Sequence, residues 1–143
     1  MKFILMVRAT PESESGAMPD PELAAQMGQF NEEMAKAGVL LAGEGLHPSS
    51  KGARVRFSGG KRTVVDGPFT ETKELIAGFW ILECRSKEEA LEWAKRSPPP
   101  FRGDCEIELR QVFAPEDFAY LGDDLVKREV ELRAELEARG KRS

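Results

Sequence analysis

Histidine occurs once in this chain of 143 residues, cysteine twice and tyrosine once. Any imidazole-based acid or base in a single chain therefore has to be His47. Cys84 and Cys105 stand far apart with neither CxxC nor Cys/His spacing, so no metal site is implied and both read as small apolar residues in strand-like runs. No apolar run approaches the roughly 20 residues that span a bilayer, and Arg8 interrupts the short apolar start before it could serve as a secretory signal. A reducing, cytoplasmic setting and no membrane partner are expected. Basic residues are outnumbered, 21 Lys and Arg against 25 Asp and Glu, for a net charge of −4, which leaves no electrostatic footprint for direct nucleic-acid binding. Nucleophile elbow, phosphate-binding glycine loop and dinucleotide fingerprint are missing too, and no cofactor is expected.

With 41% hydrophobic and 32% charged residues, the composition suits one folded domain with its own core. Lys2 to Ala9 is apolar on both alternating faces, the pattern of a strand covered on both sides. Asp20-Pro21 supplies an N-cap with proline in the first turn, and Leu23, Met27, Phe30 and Met34 make a helical stripe that stops at Gly38. Val39 to Leu46 reads as a strand in which Gly43 and Gly45 suggest a bulge or a close approach. Ser58-Gly59-Gly60 between Ala53–Phe57 and Lys61–Asp66 is a hairpin signal, because the tight turn needs positive φ. Its basic cluster, Arg54, Arg56, Lys61 and Arg62, reads as a solvated edge.

Ile76 to Cys84 is a second core strand. Ser86 and Glu89 form a capping box for a helix carrying Ala90, Trp93 and Ala94, ended by Pro98-Pro99-Pro100. Cys105, Ile107, Leu109 and Phe113 alternate with charged residues as a last strand, with Gln111 the exception on the apolar side. Beyond Pro115, Phe118, Leu125, Leu132 and Leu136 mark one C-terminal helix or two, laced by Glu129/Arg133 and Glu135/Arg139. The order is a ferredoxin-like β-α-β, hairpin, β-α-β with a C-terminal helix, an α+β fold. Helices on one side of a sheet apolar on both sides call for a second sheet, hence a homodimer.

The polar residues densest in chemistry are Asp66-Gly67-Pro68-Phe69-Thr70-Glu71-Thr72-Lys73-Glu74. Asp66 reads either as a catalytic carboxylate or as a turn residue capping the Phe69 amide. His47 reads as a proton-moving imidazole or as a surface turn residue beside a proline. Glu71 and Lys73 either bind a polar substrate or charge a short turn. Arg8 and Arg110 can clamp a carboxylate through the guanidinium fork or pair with Glu106 and Glu108. Trp80 lines a pocket or belongs to the core.

These nine residues, with Gly78-Phe79, the helix Glu88-Glu89-Ala90-Leu91-Glu92-Trp93-Ala94, Leu46-x-Pro48 and Glu106-Ile107-Glu108-Leu109-Arg110, resemble the YCII-related family in its DGPF-containing branch. The resemblance covers roughly Met1 to Phe113; the domain is taken as residues 1–114, with 115–143 as a helical extension of it. It implies a dimeric α+β barrel built from two ferredoxin-like protomers, with a small-molecule pocket between sheet and helices. It also implies a genetic link to sigma factors in some relatives, and a His-Asp pair acting on small aromatic substrates in distant ones. That pair is not carried onto His47 by motif, and Arg110-Gln111 replaces the Arg-Pro that often closes the family's last strand. Two functions follow as expectations. One is a cofactor-free acid/base enzyme in which His47 moves a proton and Asp66 orients it. The other is a non-catalytic binding or regulatory module, with the cleft sensing a small molecule or the C-terminal helix docking a transcription partner such as a sigma factor.

Overall fold

Burial alternates along β1 (Lys2–Arg8), with Phe3, Leu5 and Val7 turned into the interior and Ile4 and Met6 half-buried on the other side. This is the central strand expected of a run apolar on both faces. The computed structural model describes residues 1–140; residues 141–143, the end of the expected C-terminal extension, lie outside the described residues. After β1 come a short helix α1 (Pro11–Glu14), the long helix α2 (Pro21–Lys36) and strand β2 (Leu40–Gly45). A hairpin of β3 (Ala53–Ser58) and β4 (Lys61–Asp66) follows, then β5 (Ile76–Glu83), helix α3 (Lys87–Arg96) and β6 (Ile107–Gln111). A 3-10 segment over Pro115–Leu121 leads into helix α4 (Asp123–Gly140).

The main sheet runs β2-β5-β1-β6, antiparallel throughout, while β3 and β4 pair only with each other. This is the ferredoxin-like α+β order with an inserted hairpin. Phe3, Leu5, Val7, Trp80, Leu82 and Cys84 from the sheet meet Phe30 and Met34 of α2 and Ala90 of α3 in one core. Both helices thus lie on one face. Each of the fully buried Phe3, Leu5, Met34 and Leu82 contributes about 1.5–3 kcal/mol by leaving water. On the opposite face Ile4 pairs with Ile81 and Met6 with Phe79, an apolar surface that no helix of the main core covers.

Local signals account for the boundaries. Asp20 Oδ1 accepts from the Leu23 amide at 2.8 Å, the cap that starts α2. Ser86 Oγ accepts from the Glu89 amide at 3.1 Å, but the Glu89 carboxylate reaches back to the amide of Arg85 at 2.7 Å rather than to that of Ser86. α1 falls in what reads as plain loop: Thr10-Pro11 repeats the Asp20-Pro21 signal, and Thr10 and Ser13 cap each other's amides. β6 begins at Ile107 rather than Cys105 and ends at Gln111. The C-terminal stretch is a single α-helix behind the 3-10 segment, whose Phe118 meets Phe113, just before it, with the rings tilted and their centroids 5.2 Å apart.

Candidate functional site

Two glycines, Gly43 of β2 and Gly78 of β5, let these neighbouring strands and the Trp80 ring of β5 come close. A Cβ on Gly43 would lie 2.8 Å from Cδ1 of Trp80, and one on Gly78 would lie 3.0 Å from the carbonyl oxygen of Glu44. Without a side chain at Gly43 the Trp80 ring packs against β2, its Nε1–H donating to Asn31 Oδ1 at 2.8 Å and its ring perpendicular to that of Phe30 at 5.8 Å. A buried indole held by a hydrogen bond and a perpendicular ring has little freedom to move.

Above Trp80 lies a cavity of about 790 Å³ between α2, the β2–β5 edge and the segment before α2. Its floor is Val7, Ala77 and Trp80; Leu23, Met27 and Asn31 of α2 form one side; Phe101 closes an end. The stripe of α2 therefore divides. Phe30 and Met34 enter the core, Met27 packs against it while also lining the cavity, and Leu23 faces the cavity. The roof is Gly16, Ala17, Met18 and Pro19, with Met18 85% exposed while lining the space beneath. Polar groups on the wall are few: His47, Lys51, Glu44, Ser13 and the already bonded Asn31. A mostly apolar concavity of this size with a few placed polar groups is the usual form of a small-molecule site.

His47 reaches the cavity because a turn of three elements holds it there. Leu46 extends β2 by donating to the carbonyl of Ala77 at 2.8 Å, and Pro48 opens a 3-10 turn over Ser49–Lys51. Ser49 is the junction. Its amide donates to Glu14 Oε2 at 3.0 Å, its hydroxyl donates to Glu14 Oε1, and the same hydroxyl accepts from the Phe69 amide at 3.0 Å. Gly67 donates to the carbonyl of Gly52 at 3.0 Å, and its Cα lies where a Cβ would meet Ser49 O at 1.7 Å. The Gly67-Pro68 peptide is cis, and the Arg54 guanidinium covers the Phe69 ring at 3.8 Å. The Asp66 stretch is thus a bracket around the turn that carries His47.

The roof is fastened at both ends. Glu14 ties its start to Ser49, and Asp20 ties its end to Arg102, whose Nε donates to Oδ2 at 2.7 Å. The amide of Leu23, then Arg102, holds the Asp20 carboxyl below the usual carboxylate range.

The other residues singled out from sequence separate. Arg8 and Lys73 line a smaller cavity of about 360 Å³ with Asp104, Cys105 and Glu106. Arg8 and Arg110 both approach Glu108, at 3.7 and 3.6 Å, on the open face of the sheet. Glu71 precedes the 3-10 turn Thr72–Glu74 without capping it through its side chain. Asp66, Glu71 and Arg110 line neither cavity. The Phe69 amide expected for Asp66 belongs to Ser49 Oγ instead. Asp66 is exposed at the end of β4, its backbone paired with Ala53. Among the described residues no cluster of three or more His, Cys, Asp or Glu could hold a metal ion. Sequence reasoning did not single out Asn31, Lys51, Glu14 or Ser49. Only the Thr10-Pro11 signal could have pointed to the roof; the rest depends on contacts between residues far apart in the chain.

Comparison with known proteins adds three findings. Residues 1–114 match the YCII-related domain. An uncharacterised protein of Rhizobium meliloti (strain 1021) is 32% identical over 98 residues, covering 67% of this chain and 79% of that protein. A solved structure of 5-chloro-2-hydroxyhydroquinone dehydrochlorinase from Burkholderia phenoliruptrix, in complex with 2,5-dihydroxybenzoquinone, is similar at 15% identity and a TM-score of 0.45. The likeness covers 82% of this chain and 98% of that one.

Proposed function

The chain belongs to the YCII-related family, and on that premise we propose that it binds a small aromatic carboxylate in the cavity above Trp80, with His47 as the group that moves a proton on it. The observation that carries this reading is the position of His47: the only imidazole of the chain lies on the wall of the apolar cavity above Trp80. Aromatic and aliphatic walls from Trp80, Phe101, Leu23 and Met27 favour a flat apolar body, and Lys51, on the wall of the same cavity as His47, favours an anionic end. Proton transfer needs only a base and an acid within reach of the same atom, so no cofactor enters the scheme.

In this scheme Asp66 ends β4 by backbone pairing with Ala53, and the residues after it, Gly67 and Phe69, fix the turn bearing His47. Arg8 and Lys73 line the smaller cavity, where Asp104 and Glu106 balance their charge, while Glu71 and Arg110 stay with solvent. Two protomers joined through the half-buried faces of Ile4, Met6, Phe79 and Ile81 would close the sheet into a dimeric α+β barrel, removing apolar surface from water. The unpaired thiols of Cys84 and Cys105 suit action in the cytoplasm. Among the described residues, no helix is long and apolar enough to cross a membrane.

The test is calorimetric titration with salicylate and benzoate against the chain and its His47→Ala and Trp80→Ala variants. Saturable one-site binding, weakened in both variants, is expected; equal affinity in all three chains would refute the site. A second reading, a regulatory module that docks a transcription partner such as a sigma factor, draws on the exposed leucines of α4. Pull-down with and without residues 123–143 tests it, and retention of the partner by the truncated chain would count against it.

A further inference from the structure

The hairpin and the C-terminal arm leave the main sheet from opposite edges. β3–β4 is inserted next to β2, one edge strand, and residues 115–140 follow β6, the other. Four strands at about 4.8 Å spacing put these edges about 14 Å apart. Each is a structure that needs a covering it does not find at its own edge. A two-stranded hairpin alone is marginal in water, yet every residue of β3 and β4 is exposed, Phe57 by 70% and Val64 by 65%. In α4, which packs on the 3-10 segment, Val126, Glu129 and Arg133 are half-buried, while Leu125, Leu132 and Leu136 are each left about half exposed.

The two surfaces match in charge and length. The hairpin carries Arg54, Arg56, Lys61 and Arg62 against Asp66 alone. Residues 115–140 carry eight acidic and four basic side chains, of which Arg133 and Arg139 are already paired with Glu129 and Glu135. An 18-residue helix is about 27 Å long, and a six-residue strand is about 20 Å, so one helix can span the hairpin.

We propose that α4 of one copy of this chain packs its Leu125-Leu132-Leu136 stripe across the β3–β4 hairpin of a second copy, and that the exchange is mutual. An isologous pair buries both unpartnered surfaces twice, and it joins the acidic arm of each chain to the basic hairpin of the other. The contact lies outside the cavity above Trp80, so it stands or falls apart from the ligand reading.

Cross-linking between two tagged chains tests it directly. Phe57→Cys on a chain with one tag and Leu132→Cys on a chain with another are mixed and oxidised at micromolar concentration. The two native cysteines serve as background in the parent chain: Cys84 is buried and Cys105 half-buried. The expected product is a covalent heterodimer, formed several-fold faster than the homodimer of either variant and slowed by 1 M salt. A bond formed only within one chain carrying both substitutions, or no bond above background, overturns the proposal, as does α4 engaging a sigma factor while no heterodimer forms. Hydrogen exchange gives a second reading. Hairpin amides should lose protection in the L125D/L132D/L136D chain, and unchanged hairpin exchange would equally contradict the contact.

Discussion

Gly67 presses its Cα against the carbonyl of Ser49, so closely that a Cβ there would sit 1.7 Å from the oxygen. The neighbour is backbone, which cannot step aside as a side chain can. Gly67→Ala is therefore expected to push the Ser49 turn away from the hairpin, at a cost of more than about 2 kcal/mol in unfolding free energy. Because that turn bears His47, ligand affinity should fall in the fraction that still folds. Urea unfolding and calorimetric titration measure the two effects separately.

Ser49 joins roof, turn and bracket through one hydroxyl. Ser49→Ala leaves the Phe69 amide and one Glu14 oxygen without their partner, and a loss of about 1–3 kcal/mol is expected. Freed from its anchor, the roof should also become a cleavage site. Limited proteolysis is expected to cut near residues 15–19 several-fold faster in Ser49→Ala and in Glu14→Ala than in the parent chain.

Acid should act on the other anchor of the roof. The Asp20 carboxyl is held below its ordinary value of 3.8, first by the Leu23 amide and then by Arg102. A depressed carboxyl gives stability that is complete above the unfolded value and disappears as pH falls through the folded value. Stability measured from pH 5 downward should thus decline less steeply in Asp20→Asn than in the parent chain below about pH 4, where the unfolded carboxylate begins to bind protons. Equal slopes would show that this carboxylate carries none of the acid sensitivity.

Burial, then the charge of Glu89, pushes the Cys84 thiol up. Only the thiolate attacks a disulfide reagent. In the native chain, Cys84 should react with a thiol-specific reagent at the rate of global opening, and denaturant should release it. Mass spectrometry of labelled peptides follows the residue directly.

How far the sequence reaches is clearest at three places. The hairpin was legible almost residue by residue, since Ser58-Gly59-Gly60 demands positive φ at Gly59 and Gly60 and the alternation around it leaves little freedom of register. The Leu23-Met27-Phe30-Met34 stripe was legible as one face, but not as a face shared between core and cavity, because periodicity records that a side chain avoids water and not what replaces it. The Asp66 stretch was legible as special and illegible in its role. Its partners Ser49, Gly52 and Arg54 lie on a separate turn and strand, and Trp80 bonds to Asn31 across an interval no local pattern encodes. Expectation placed chemistry in the motif. The fold uses its Gly67 and Phe69 to hold a neighbouring turn.

Since the chain has one histidine, an untagged sample gives a single set of imidazole C–H resonances, and His47 can be followed by proton NMR without assignment of the rest. Titrating salicylate at fixed pH, in the parent chain and in Trp80→Ala, tests directly whether the cavity above Trp80 is the binding site. The expected result is a saturable shift of the His47 resonances in the parent chain that is weakened in Trp80→Ala. His47 resonances unchanged at millimolar salicylate would contradict it.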